Sequence, residues 1–247
     1  MPEPSPFERS LSDGPSDAVF GVAELKGLPA PVRRYLEAAI APGTPLMTSA
    51  RLRMRGRIRI GRWLPFTAHQ TLNPHRGFVW TARVAGVISG SDRYADGAGR
   101  MSWKLGGLLS VAAGAGPDVS RSAAGRAAAE AVWLPTALLP RFGVTWSAED
   151  ADHITAHYRI GVTAVDLRLT LDPQGRVRSL VFERWGDPDR SGTWTQHPFG
   201  GEITGYRTFA GLAIPSAGRF GWDFATDRWS AGEFFRYEIT ELNGSSV

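Results

Sequence analysis

One stretch of this chain, Ser110 to Pro140, reads as helix, and nearly everything around it from Ser49 to Leu242 reads as strand. That imbalance limits the folds available more than any other feature. Within the stretch, Asp118 or Ser120 can cap a helix N-terminus, and six alanines between Ala123 and Ala131 favour the helical state. Pro135 lacks a backbone donor, so the helix is expected to run over 118–134 and to end near Leu134. Ala123, Ala127 and Ala131 form a smooth row that permits close approach to a sheet. Arg126 and Glu130 are four residues apart and can pair, either as a solvated surface contact or as a functional pair.

The strands announce themselves by alternation. From Arg51 to Ile60, Leu52, Met54, Ile58 and Ile60 fall on one face and five arginines on the other. Phe78, Trp80, Ala82 and Val84 form a further inward row, followed by Met101, Trp103 and Leu105. After the helix, Ile154 to Ile160 and Val165 to Leu171 alternate in the same way. Roughly a dozen short strands at hairpin spacing result. No β-α-β rhythm occurs, so a parallel sheet is not expected. A sheet of that size is expected to curl or close. The expected fold is therefore mainly β with α: a strongly curved antiparallel sheet, half-barrel or open barrel, with a helix against its concave face. Residues 1–16, rich in Pro, Ser and Glu, read as a disordered N-terminus. Residues 17–247 read as a single domain, helical over 17–41, with Val32, Tyr35, Leu36 and Ala39 on one helix face.

Composition excludes several functions. Without cysteine there is no disulfide framework, no thiolate chemistry and little scope for structural zinc. The N-terminus lacks a basic region followed by an apolar core, and no run of eighteen apolar residues occurs. A cytoplasmic protein without a transmembrane helix is expected, and a nucleic-acid partner is not. The net charge is +4, yet no Asp or Glu lies between Ala38 and Ser91. Within that span Arg51, Arg53, Arg55, Arg57 and Arg59 project to one side of a single strand. They either form a solvated row that guards against edge pairing, with Glu238 and Glu241 as available partners, or meet an anionic surface.

Conventional catalytic signatures are missing. His153 and His157 lie on a strand about 13 Å apart, too far to share one metal. His69, His75 and His197 are isolated, and Ser120 and Ser122 lack a nucleophile elbow. The glycines of GLLSVAAGAG match no phosphate loop. No metal or cofactor is expected. Nine tryptophans are harder to place. Trp80, Trp103 and Trp133 all point inward by pattern, either as ordinary core or as the wall of a pocket for an apolar ligand. Arg184, beside Glu183 and Trp185, is positioned to anchor a polar group at the pocket mouth, as are Arg126 and Glu130 if they turn inward.

The segments VRRYLEAAIAPGTP, GSDRYADGAGRMSWKLGG and GRAAAEAVWLPTALLP, with RWGD and the C-terminal GWDFATDRW and GEFFRYEI, resemble those of a bacterial family whose function is unassigned. The resemblance runs over most of the chain from about Pro31 and is nearly silent about activity. The expected architecture also resembles, at fold level, the bacterial lipoprotein carriers of the LolA type. Fold likeness alone does not establish function.

Three functions are compatible with this reading. The leading one is noncatalytic binding of an apolar or lipid-like small molecule in an aromatic-lined cavity formed by Trp80, Trp103, Arg126, Glu130, Trp133 and Arg184. The second is an enzyme with a Glu/Arg acid–base site in the same cavity. The third is an adaptor that docks its arginine face on an anionic surface.

Overall fold

In the computed structural model, described over residues 3, 5–12 and 17–244, the chain opens with a helix, α1 (Pro6–Leu11). Ser5 and Glu8 form a capping box, each bonding the other's backbone N–H, and Pro6 starts the first turn. Leu11 is buried, Glu8 accepts from the Thr71 hydroxyl at 3.2 Å, and the Asn73 amide donates to the Leu11 carbonyl at 3.1 Å. Part of the stretch expected to be disordered is thus a docked helix; its residues 1, 2, 4 and 13–16 lie outside the described residues. Within the stretch 17–41, expected to be helical, the first element is a 3-10 turn, Val22–Leu25. The next helix, α2 (Ala30–Ala39), buries Val32, Tyr35, Leu36 and Ala39, the face its spacing required.

Six strands follow: β1 (Ala50–Ile60), β2 (Arg62–Asn73), β3 (Gly77–Val84), β4 (Ile88–Ala95), β5 (Ala98–Leu105) and β6 (Leu109–Ala115). Each pairs antiparallel with the one before it. The central helix, α3 (Pro117–Ala129), then leads through 3-10 turns at Glu130–Trp133, Pro135–Leu138 and Pro140–Phe142 to a second meander. That meander comprises β7 (Thr145–Ala148), β8 (His153–Ile160), β9 (Thr163–Leu171), β10 (Val177–Gly186), β11 (Thr195–Phe209) and β12 (Leu212–Trp222). A short turn of helix, α4 (Trp229–Gly232), precedes β13 (Glu233–Gly244). The last strand pairs with β1, so the two meanders join along one central seam.

Thirteen strands form one sheet in the order β6-β5-β4-β3-β2-β1-β13-β12-β11-β10-β9-β8-β7. The sheet is open. This corrects the expectation of a strongly curved half-barrel or open barrel: the fold is mixed α/β, a large antiparallel sheet with helices packed on it. Barrel closure would need a ladder between β6 and β7. The chain between those strands is helical instead, and open sheets of this size are sustained when helices cover them.

The central helix begins and ends differently from expectation. Gly116, at a φ of 110°, is its N-cap, a conformation that disfavours Asp or Ser at that place, and Pro117 fills the first helical position. Asp118 accepts from the Trp185 indole at 2.8 Å, and Ser120 accepts from the Gly99 amide at 2.9 Å. The helix tightens to 3-10 geometry at Glu130, ahead of Pro135. Ala124, Ala127, Ala128 and Ala131 are fully buried, and the Tyr158 hydroxyl donates to the Ala128 carbonyl. These small side chains bring α3 onto β5, β9 and β10. The helix is thereby held over strands of both meanders, which places its C-terminal end above the seam.

Candidate functional site

A cavity of about 160 Å³ lies between the C-terminal end of α3 and the strands flanking the seam. Strand alternation supplies most of its wall. On β10, Leu180, Phe182 and Arg184 face it; on β13, Phe235 and Tyr237 do, with Phe234 beside them. Phe199 and Phe220 contribute from β11 and β12, and Ile58, Trp80 and Asp92 from the first meander. Arg126, Glu130 and Trp133 close it from the helical side. Its aromatic contacts include edge-on pairs, Phe182 with Phe199 at 5.7 Å between centroids and Trp133 with Tyr237 at 5.1 Å, and a stacked pair, Phe235 with Tyr237 at 6.1 Å. The Trp133 indole donates to the Tyr237 hydroxyl at 3.2 Å, which donates in turn to the Pro215 carbonyl at 3.1 Å.

Five of the six residues singled out from sequence line this cavity: Trp80, Arg126, Glu130, Trp133 and Arg184. Trp103 does not. It packs behind the wall, 5.6 Å from Trp80 between centroids, and its indole donates to Asp92 Oδ1 at 2.9 Å. All three tryptophans belong to, or pack against, one apolar cluster.

The pair expected four residues apart is a buried network. Arg126 Nε donates to Glu130 Oε1 at 2.7 Å, and its Nη1 donates to Asp92 Oδ2 at 3.1 Å. Their side chains are only 17%, 12% and 26% exposed for Arg126, Glu130 and Asp92. Gln70 donates to the other Glu130 oxygen at 2.5 Å. The guanidinium lies 4.4 Å from the Phe78 ring centroid and 5.2 Å from that of Trp80, a cation–π arrangement. Burial opposes the charge on Arg126, but Glu130 and Asp92 outweigh it and hold its pKa above the ordinary value. Sequence reasoning missed Asp92, although it is the first acid after a span of 54 residues without one, a count read from Ala38 to Ser91. It also missed Phe182, Phe199, Phe220, Phe235 and Tyr237. The alternation of Leu180, Phe182 and Arg184 was available to find part of that wall.

Arg184 is held differently. Its Nε donates to the Ser122 hydroxyl at 3.3 Å, and its guanidinium lies 4.5 Å from the Phe199 ring centroid and 4.9 Å from that of Trp222. Burial, and then the charge of Arg126, push its pKa down to about 9. It therefore keeps its positive charge at neutral pH.

Other polar groups do not converge on this cavity. His153 pairs with Asp150 and His157 with Asp166, so the two histidines have separate acids. Ser147 Oγ, His157 and Asp166 are linked through contacts of 2.8 Å each. That row lies on the exposed side of β7, β8 and β9, with Asp166 73% exposed, and no wall around it excludes water. Among the described residues no cluster of three or more potential metal ligands occurs.

The arginine row is already engaged. Arg53 pairs with Glu241 at 2.9 Å and Arg55 with Glu238 at 2.8 Å, the two acids that the last strand offered. Arg57 donates to the Trp63 carbonyl at 3.3 Å, and Arg59 donates to the Ala231 carbonyl. Arg51 stands opposite Thr71 and Asn243 in register. Docking on an anionic surface required a row without acid partners, and Arg53 and Arg55 have them, so nothing in the structure favours that role.

The fold and site define a mixed α/β protein with an aromatic-lined cavity beneath a central helix. The chain belongs to the Family of unknown function (DUF6544), which it matches over residues 18–234. No curated protein matches the sequence. Two solved structures are similar in fold. One is a LolA superfamily protein from Nitrosomonas europaea, 9% identical, covering 88% of this chain and 93% of that chain at a TM-score of 0.49. The other is a domain named for outer membrane lipoprotein sorting from Vibrio parahaemolyticus, 8% identical, covering 79% and 84% at a TM-score of 0.42. The family likeness and the fold-level likeness to LolA-type proteins read from the sequence are thus both found. The cytoplasmic assignment is withdrawn: it rested on features missing from the N-terminal sequence, and those do not fix a compartment. Among the described residues no helix is long and apolar enough to cross a membrane.

Proposed function

We propose that this protein binds an apolar small molecule, without catalysis, in the cavity between α3 and the seam of the sheet. The observation that carries the reading is the wall itself. Its apolar surface comes from Trp80, Trp133, Phe182, Phe199, Phe235 and their neighbours, while the acids that line it are already paired. A volume of about 160 Å³ is close to that of engineered apolar cavities, about 150 Å³, that take up benzene. A ring or a short chain segment fits inside, and a longer chain must extend through the mouth.

Acid–base catalysis in the same cavity is disfavoured. Glu130 has one oxygen held by Arg126 and the other by Gln70, and both bonds favour its ionised form over the protonated one a general acid needs.

The test is a titration with the neutral dye N-phenyl-1-naphthylamine, followed by its fluorescence. Saturable binding at one site is expected. It should be lost in Ala129→Phe, which fills the cavity, and kept in Trp229→Ala, which lies outside the wall. Equal effects of the two substitutions would refute a localised site.

A further inference from the structure

The charged groups of the cavity are unequal. Arg126 holds two carboxylates in hydrogen-bond contact. Arg184 holds none: among the described residues its one hydrogen bond is from Nε to the Ser122 hydroxyl, and it enters no ion pair. Both of its terminal nitrogens are therefore without a hydrogen-bond partner there. The side chain is half-buried in the cavity wall, stacked on Phe199 and Trp222. Asp92 and Glu130 favour this charge only through space and neither touches the guanidinium, a deficit of contact that a bound anion would fill. The depressed pKa of Arg184 reports the same deficit, since it measures how weakly the surroundings support the charge. Arginine presents paired N–H donors that match the two oxygens of a carboxylate or phosphate. Around it the wall is apolar, so such an anion must carry an apolar body.

We propose that the cavity's ligand is an amphipathic anion, an apolar body with a single carboxylate or phosphate headgroup bound by Arg184. The body lies against Phe182, Phe199 and Trp133, and the headgroup meets the terminal nitrogens of the guanidinium. This rests on the apolar-binding reading above and narrows it to one class of ligand. Ser122, on α3, steadies Arg184 through its hydroxyl and so orients the anchor from the helical side.

Calorimetric titration of the native chain with octanoate, octyl phosphate, 1-octanol, octyltrimethylammonium and inorganic phosphate tests this. At least one of octanoate and octyl phosphate should bind about tenfold more tightly than 1-octanol, the worth of a charge-assisted pair, and the tighter of the two identifies the headgroup. Octyltrimethylammonium should bind weakest of the octyl compounds. Arg184→Met should abolish the preference for the anion, read as the ratio of octyl-anion to 1-octanol affinity within that variant. Arg184→Lys should retain part of the preference, and it serves in place of the Met variant if that one fails to fold. Equal binding of 1-octanol and both octyl anions would overturn the anchor and leave the apolar cavity intact. Failure of every octyl compound to bind would overturn the underlying reading. Inorganic phosphate binding as tightly as octyl phosphate would also overturn the proposal, because the apolar body would then contribute nothing.

Discussion

At the scale of residues, the chemistry of this protein is a matter of which charges are paired. Arg126 shares its one charge between Asp92 and Glu130 in a site that is mostly closed to water. Arg126→Met should therefore destabilise the fold by about 3–5 kcal/mol in a denaturant titration, because it strands two carboxylates. A loss below about 1 kcal/mol would place the network in effective contact with solvent. Trp133, 6% exposed, should cost about 3–5 kcal/mol on truncation to Ala. That variant should also weaken dye binding more than Trp229→Ala does. The exposed pair of Arg55 and Glu238 behaves otherwise. The Arg55 hydrogen bond, opposed by burial and aided by the Arg55 and Arg207 charges, lowers the Glu238 pKa below its ordinary 4.5. A depressed carboxylate stabilises the fold above its unfolded-state value, and that contribution is lost as pH falls through the folded-state value. Arg55→Ser should thus be slightly less stable than the native chain at neutral pH, with the difference closing as the pH is taken well below 4.5. A difference independent of pH would assign Arg55 to packing instead. The spacing of Arg126 and Glu130 made their contact legible in the sequence. Their burial and their third partner were not, because Asp92 reaches them across 34 residues of chain and only the sheet brings it there.

At the scale of elements, alternation was an adequate guide to strands and a poor one to their limits. The face of Leu52 and Met54 is buried as expected, and Glu238 and Glu241 arrive opposite the arginines through the β1–β13 register. Gly200 and Gly201 interrupt the apolar pattern here, a signal that ordinarily marks a turn, yet β11 runs unbroken from Thr195 to Phe209. Those glycines serve close packing: a Cβ at Gly201 would lie 2.0 Å from the Arg219 carbonyl oxygen, and one at Gly200 would lie 2.2 Å from that of Leu180. A sequence does not distinguish a glycine that turns the chain from one that admits a neighbour. The alanine-rich face of α3 was legible from propensity and spacing, whereas the 3-10 turns after it follow from tertiary packing. Since Ala127 is fully buried, Ala127→Leu should overpack this interface and cost about 1–3 kcal/mol, measured by thermal or chemical unfolding. A neutral result would mean that α3 sits loosely on the sheet.

At the scale of the whole molecule, the seam between β1 and β13 organises everything else. It joins two meanders that are consecutive in sequence only through the helical connection from Pro117 to Phe142. Hairpin spacing made the antiparallel meanders legible. It carried no information on how far the sheet curves, and the expected half-barrel failed for that reason. The aromatic cavity lies at the seam because residues from both meanders and from α3 converge there. Nuclear magnetic resonance of the indole N–H groups tests this account most directly, since the chain's nine tryptophans report from inside and outside the wall at once. On adding a small apolar ligand, the account predicts saturable shifts for the indoles of Trp80 and Trp133, which line the cavity, with those of Trp63, Trp146 and Trp229 unmoved. Shifts spread evenly over all of them, or shifts confined to the outer three, would contradict it.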